Sequence, residues 1–173
     1  APLYPSIGKG NGVSRSLMRP LFETVTDFQS NAEILRVRRY GVIEIAAGRL
    51  VGVHLHPLPK LLAWPDLFPV GEHYHSSGPN DLCRLFYNQP RRFTSFIAVK
   101  YAVSTIGTSI STIRSALTVL DAIARIKRTD ALLCDVANTR IPDRLLARWG
   151  WTAHKPQRFH RNFIKRFYGH YPD

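Results

Sequence analysis

The stretch from Tyr101 to Ile126 constrains the fold of this chain more than any other. It opens on the end of a β-branched and aromatic run, crosses a turn of glycine, serine and threonine, and enters a segment with helical periodicity. Ile110, Ile113, Leu117, Leu120 and Ala124 recur at steps of three and four, so a helix puts them on one face, which must be buried against a sheet. Ser109 or Thr108 is placed to cap the helix start. The remaining N–H groups of the first turn, with the helix dipole behind them, then form a basin for an anion. Strand, turn and helix start in this order suggest phosphate binding, although many α/β domains carry such a junction without a ligand.

The flanking segments extend this unit. Residues 93–103 predict a central strand, and residues 131–137 a second buried strand, with a crossover long enough for right-handed parallel pairing. Asn138 ends that strand, Pro142 opens a short helix with Ile141, Leu145, Leu146 and Trp149 on its apolar face, and Gly150 stops it. Residues 160–168 alternate Phe163, Lys165 and Phe167 against Asn162, Ile164 and Arg166, as a closing strand does. Upstream, residues 1–15 are rich in proline, glycine and serine and predict an extended arm, leaving 16–173 as one domain. Leu17, Leu21, Val25 and Phe28 share a helical face over 16–28, whereas residues 33–38 alternate like a strand. Residues 42–46 and 50–56 read as a hairpin turning at Ala47-Gly48-Arg49. From Pro57 to Pro90, prolines and glycines predict long loops with short apolar pieces at 61–64 and 82–87.

The 173 residues carry a formal charge of +12 and an isoelectric point near 10.3, which favours acidic partners: nucleic acid, an anionic surface or a phosphorylated small molecule. Cys83 and Cys134 lie far apart, supporting neither a disulfide framework nor a cysteine-rich zinc site, so a reducing, cytoplasmic setting is expected. No apolar run reaches the length of a membrane span, and no signal-peptide pattern opens the chain. His54 and His56 share one side of a predicted strand, and Glu72, His73 and His75 follow in the loop. They suit a metal or a polar substrate cleft, and the long intervening loop and lack of a cysteine leave no metal expected. Glu44 and Asp135 are carboxylates on predicted strands. The basic, aromatic segment from Trp149 to Tyr168 has the composition to stack nucleic-acid bases, but no helix-turn-helix or RNA-motif signature accompanies it.

In the order of its elements, the chain resembles the GNAT superfamily of acyl-CoA-dependent N-acyltransferases over roughly residues 40–168. Ala47-Gly-Arg-Leu-Val-Gly-Val53 is similar to that family's turn between its second and third strands. Phe96-Ile-Ala-Val99 is similar to its fourth strand, Ser115-Ala-Leu117 to its coenzyme-binding helix, and residues 131–137 to its fifth strand. Asn138 followed by a helix ending Arg148-Trp-Gly-Trp151, and the final Arg161–Tyr168, complete the likeness. The resemblance implies a single α/β (α+β) domain whose mixed, largely antiparallel sheet has one parallel strand pair and flanking helices. It implies acetyl-CoA or another acyl-CoA as co-substrate, an amine-bearing acceptor, and coenzyme contacts at Ala102, Val103, Thr108, Ser109, Ser111, Thr112, Arg114 and Asn138. Catalytic candidates are Glu44, Asp135 and His54. The family's helix start usually carries small residues where this chain has Thr112 and Arg114, and its thiolate-protonating tyrosine falls near Leu146. The alternative expectation is a non-catalytic domain of this fold that holds nucleic acid or another polyanion on its basic surface.

Overall fold

The computed structural model describes residues 22–57, 81–136, 141–155, 158 and 160–173. In chain order these form β1 (Glu23–Val25), α1 (Ala32–Val37), β2 (Tyr40–Ala46), β3 (Arg49–His56), β4 (Leu82–Asn88), β5 (Phe96–Ser104), α2 (Ile110–Lys127), β6 (Ala131–Asp135), α3 (Asp143–Arg148), β7 (Thr152–Ala153) and β8 (Asn162–Arg166). The strands make one sheet in the order β1-β3-β2-β4-β5-β6-β8-β7. The β5–β6 pair is parallel and the others are antiparallel. The mixed, largely antiparallel sheet with one parallel pair is the architecture expected from sequence.

The hairpin turns on Ala47 and Gly48, whose φ values of 48° and 75° give the left-handed two-residue loop that matches sheet twist. The chain then departs from a simple meander. β3 runs to the outer side of β2, and β4 returns to the other edge, so β2 is flanked by β3 and β4. One face of this part packs on α2, with Ile43, Ile45, Val53, Leu55, Leu85, Leu120 and Ile123 in a common core. Each such side chain contributes about 1.5–3 kcal/mol when removed from water.

α2 begins at Ser109, whose hydroxyl accepts from the Thr112 N–H, and ends at Arg128 in the left-handed region with φ 55°. Its buried side runs through Thr112, Ala116, Leu120, Ile123 and Ala124. This stripe is rotated from the expected one at its start: Ile110 is 52% exposed, while Thr112 is fully buried. The reason is polar. The Gly48 N–H donates to the Thr112 hydroxyl at 2.9 Å, and the Ser115 hydroxyl donates to the Gly48 carbonyl at 3.0 Å. A hairpin tip that needs hydrogen-bond partners draws hydroxyls inward where hydropathy alone places isoleucine.

Two local expectations are corrected. Residues 23–25 form the edge strand β1 rather than part of a helix, and residues 16–21 lie outside the described part, as does the arm at 1–15. After β1, the Asp27 carboxylate accepts from the Gln29 N–H and the Ser30 hydroxyl, and this local turn ends any continuous helix there. Residues 33–37 belong to the helix α1 and Arg38 caps its end, instead of the expected strand. Ile34 and Leu35 pack on the core, while Val37 is exposed, which a single helical turn satisfies and a strand period does not. At the other end, β8 is the expected closing strand, with Phe163, Lys165 and Phe167 buried. Lys165 lies there because its ammonium donates to Asp121 of α2 at 2.7 Å. The short strand β7 pairs with β8 beyond it.

Candidate functional site

β5 changes partners midway. It pairs with β6 from Phe96↔Ala131 to Val99↔Cys134, and then runs on through Ser104 with β4 as its one partner among the described residues. At the point of separation Lys100 is an extra residue, since Tyr87 pairs with Val99 and Phe86 with Tyr101. Such a bulge bends and twists a strand locally, and here it accompanies the parting of the parallel pair. β6 ends at Asp135, and the Val136 N–H donates to the Arg161 carbonyl near β8. Residues 101–104 are consequently exposed, and they include the coenzyme candidates Ala102 and Val103.

The start of α2 stands immediately after this open stretch. A cleft of about 470 Å³ lies beside it, lined by Ile110 and by Pro142, Arg144, Leu145 and Arg148 around α3. Arg144 and Arg148 are four residues apart and so share one side of α3, both exposed. Their fixed positive charge and forked donors suit phosphate groups.

Within the helix start the candidate residues divide. The Ser109 N–H and hydroxyl both donate to the Asp81 carboxylate at 2.8 Å. Burial opposes the Asp81 charge, but these bonds outweigh it and hold the carboxyl below its ordinary value. The helix dipole is thus already served by an internal anion, so the first-turn basin expected from sequence is partly filled. Thr108 donates to the Leu82 carbonyl at 2.8 Å, and Thr112 faces the hairpin. Ser111 and Arg114 are exposed. Asn138 lies outside the described residues.

A second cluster occupies the sheet face opposite α2. Cross-strand register sets two adjacent rows: Thr24, His54, Val42, Phe86 and Tyr101 in one, and Gly52, Glu44, Arg84 and Val103 in the next. Glu44 is 1% exposed. Its Oε2 accepts from Arg84 Nε and lies against His54 Nε2, both at 3.2 Å, while Oε1 has no hydrogen-bond partner among the described residues. Burial disfavours the Glu44 charge, but the His54 hydrogen bond and the Arg84 charge and hydrogen bond prevail, lowering its pKa from the ordinary value. The carboxylate is therefore ionised at neutral pH and keeps one oxygen, Oε1, buried and uncommitted among the described residues. Alongside, Phe86 and Tyr101 stack with ring centroids 4.2 Å apart.

A bulge helps to aim Glu44. β2 and β3 pair Glu44 with Gly52 but Ile45 with Leu50, leaving Val51 as the extra residue next to the carboxylate's row. Gly52 is required by close approach: a Cβ there would come within 2.8 Å of Thr24 Cγ2.

The other catalytic candidate stands apart. Asp135, at the exposed end of β6, pairs with His160 Nδ1 at 2.7 Å and joins neither cluster through a hydrogen bond among the described residues. Burial and the negative Asp81 push the Cys83 thiol up to about 11, and burial with Asp135 pushes the Cys134 thiol to about 12. Neither is a thiolate nucleophile at neutral pH. Among the described residues no three His, Cys, Asp or Glu side chains are grouped to hold a metal; Glu72, His73 and His75 lie outside them.

Sequence reading did not pick out Thr24, Asp81, Arg84, Arg144 or Arg148. Only Arg84 left a signal, as a lone charge inside the apolar run 82–87. The others depend on register and on the packing of α3.

No family model matches the sequence, and no curated protein is significantly similar to it. Among solved structures, the crystal structure of nourseothricin acetyltransferase aligns with 84% of this chain and 98% of that one, at 13% identity and a TM-score of 0.38.

Proposed function

We propose that this chain is an acyl-CoA-dependent N-acyltransferase that transfers an acyl group, with acetyl as the smallest case, to an amine. The observation that carries this reading is a register row. Glu44, ionised and with one uncommitted oxygen, stands level with Val103, on the stretch of β5 that has left β6. Two strand spacings separate them, about 10 Å, with Arg84 of β4 between, so a thioester along β5 and an amine at Glu44 would meet above this face of the sheet rather than in its plane. The Arg144 and Arg148 cleft at the α2 start lies beside the end of the same strand, and supplies charge for the phosphates of a coenzyme.

In this reading the edge of β5 beyond Val99, which pairs with no described strand, offers backbone groups to an extended acyl-pantetheine arm. Because Asp81 already serves Ser109, the phosphates engage Arg144 and Arg148 more than the first-turn amides. Glu44 Oε1 accepts the proton that the acceptor ammonium must lose before it attacks. The amine nitrogen then bonds to the thioester carbonyl carbon, the C–S bond breaks, and the departing thiolate takes up the second proton that the nitrogen sheds as it becomes an amide, while the proton on Glu44 passes to solvent. Leu146 is buried and has no proton to give, so α3 does not supply that proton at this position.

The test is thiol release from acetyl-CoA by the full chain in the presence of a panel of primary amines. Amine-stimulated release that is lost in Glu44→Gln supports the reading; release by no amine overturns it.

A further inference from the structure

The proton chemistry of Glu44 depends on how its second oxygen is held, and two residues of the neighbouring row, His54 and Thr24, contribute to this. His54 of β3 bridges Glu44 and Thr24: its Nε2 lies 3.2 Å from Glu44 Oε2, and its Nδ1 lies 2.9 Å from Thr24 Oγ1. An ionised carboxylate only accepts hydrogen bonds, so Nε2 must carry the proton of that contact. In the neutral imidazole, Nδ1 is then the acceptor and the Thr24 hydroxyl the donor. The hydroxyl reverses its role if the ring gains a second proton, and so holds the ring in both charge states. Arg84 Nε donates to the same Oε2.

We infer that Thr24 is a positioning residue for acyl transfer: through His54 it keeps the imidazole donor on Glu44 Oε2, beside the Arg84 donor, and leaves Oε1 as the oxygen that receives the acceptor's N–H. This rests on the acyltransferase reading above. Among the described residues, the titratable or charged groups in contact with Glu44 are His54 on β3 and Arg84 on β4. The row neighbours Val42, Phe86 and Val103 carry no charge. Gly52 supplies the space in which Thr24 approaches β3, since a side chain there would collide with the Thr24 methyl group. Thr24 is the exposed residue of a three-residue strand at the edge of the sheet among the described residues, a place where neither core packing nor a long ladder requires threonine. Its hydroxyl contact with His54 is the feature that distinguishes it from valine.

Two measurements on the full-length protein test the inference. Nitrogen-15 spectra of the His54 ring report the tautomer in the resting protein without any turnover. The expected result is a proton on Nε2 in the wild type and a mixed population in Thr24→Val, with Thr24→Ser restoring the wild-type pattern. Valine keeps the β-branched shape, so the strand is retained. In the thiol-release assay with acetyl-CoA and a primary amine, Thr24→Val is expected to lower kcat about tenfold, the loss of one hydrogen bond to the catalytic unit, with KM for acetyl-CoA unchanged. Thr24→Ser is expected to recover it to within about twofold. A proton on Nδ1 in the wild type overturns the inference, as does Thr24→Val with unaltered tautomer and kcat. An Nε2–H tautomer in a protein that releases no thiol with any amine instead overturns the acyltransferase reading, and with it any catalytic role for Thr24.

Discussion

Removing the Glu44 carboxylate is expected to destabilise the fold and to do so in a pH-dependent way. In Glu44→Ala, Arg84 Nε and His54 Nε2 lose the acceptor they share at 3.2 Å. Their side chains are only 24% and 16% exposed, so water replaces that acceptor incompletely. Breaking a buried, hydrogen-bonded ion pair from one side costs about 3–5 kcal/mol. For a chain of this length that corresponds to a fall in melting temperature of roughly 6–20 °C. Glu44→Gln keeps one acceptor oxygen and loses the charge, and is expected to cost about 1–2 kcal/mol. The Glu44 pKa is lowered on folding, so its contribution is complete above the unfolded value near 4.3 and is lost as pH falls through the folded value. Urea denaturation of wild type and Glu44→Ala at pH 7, 5 and 3.5 measures both effects. A difference below about 1 kcal/mol at neutral pH, or one that does not shrink in acid, would refute the electrostatic account of this cluster.

Other perturbations probe the scaffold and the cleft. Lys165→Ala leaves the largely buried Asp121 without its ammonium and is expected to cost about 3–5 kcal/mol, whereas the paired change Asp121→Leu with Lys165→Met stays within about 2 kcal/mol of wild type; a double-mutant cycle in urea checks both. The Lys127 ammonium, held between the Arg36 and Arg38 carbonyls and Gln89, has its pKa lowered to about 8 by burial and by Arg39. Between that value and about 10.4 the unfolded chain binds more protons, so the stability of wild type relative to Lys127→Met should increase with pH across this window, as thermal melts would record. Gly41→Ala places a Cβ 2.6 Å from the buried Tyr87 hydroxyl and should cost about 1–3 kcal/mol by overpacking, measurable as a lowered urea midpoint.

What the sequence revealed depended on whether a signal was local. The β2–β3 hairpin, β5, α2, β6 and β8 were legible because each carries its own periodicity and its own stop, such as Ala47-Gly48 or Gly150, the latter with φ 86°. α1 and β1 were misread because three to six residues fit either period, and the choice between them is made by tertiary packing and the Asp27 turn. The rotated start of α2 had no apolar signature, since Thr112 is inward for the sake of a hydrogen bond. Glu44 and His54 were found as residue types, yet their joining needed the β2–β3 register, which a single bulge shifts. Arg84 needed β4 to return beside β2 rather than continue a meander. Pairing across 40 residues of chain, with loops between, is not written in any window of the sequence.

The central claim is that the cleft beside the α2 start holds an acyl-CoA, and a calorimetric titration of the protein with acetyl-CoA addresses it most directly. One-to-one binding with a Kd between about 1 μM and 1 mM is expected. It should weaken at least about tenfold in the double variant Arg144→Glu, Arg148→Glu, which reverses the charge lining that cleft. The absence of binding to acetyl-CoA and to longer acyl-CoAs, in a protein that binds mixed DNA or RNA with a steep salt dependence, would contradict the account and favour a polyanion-binding domain of the same fold.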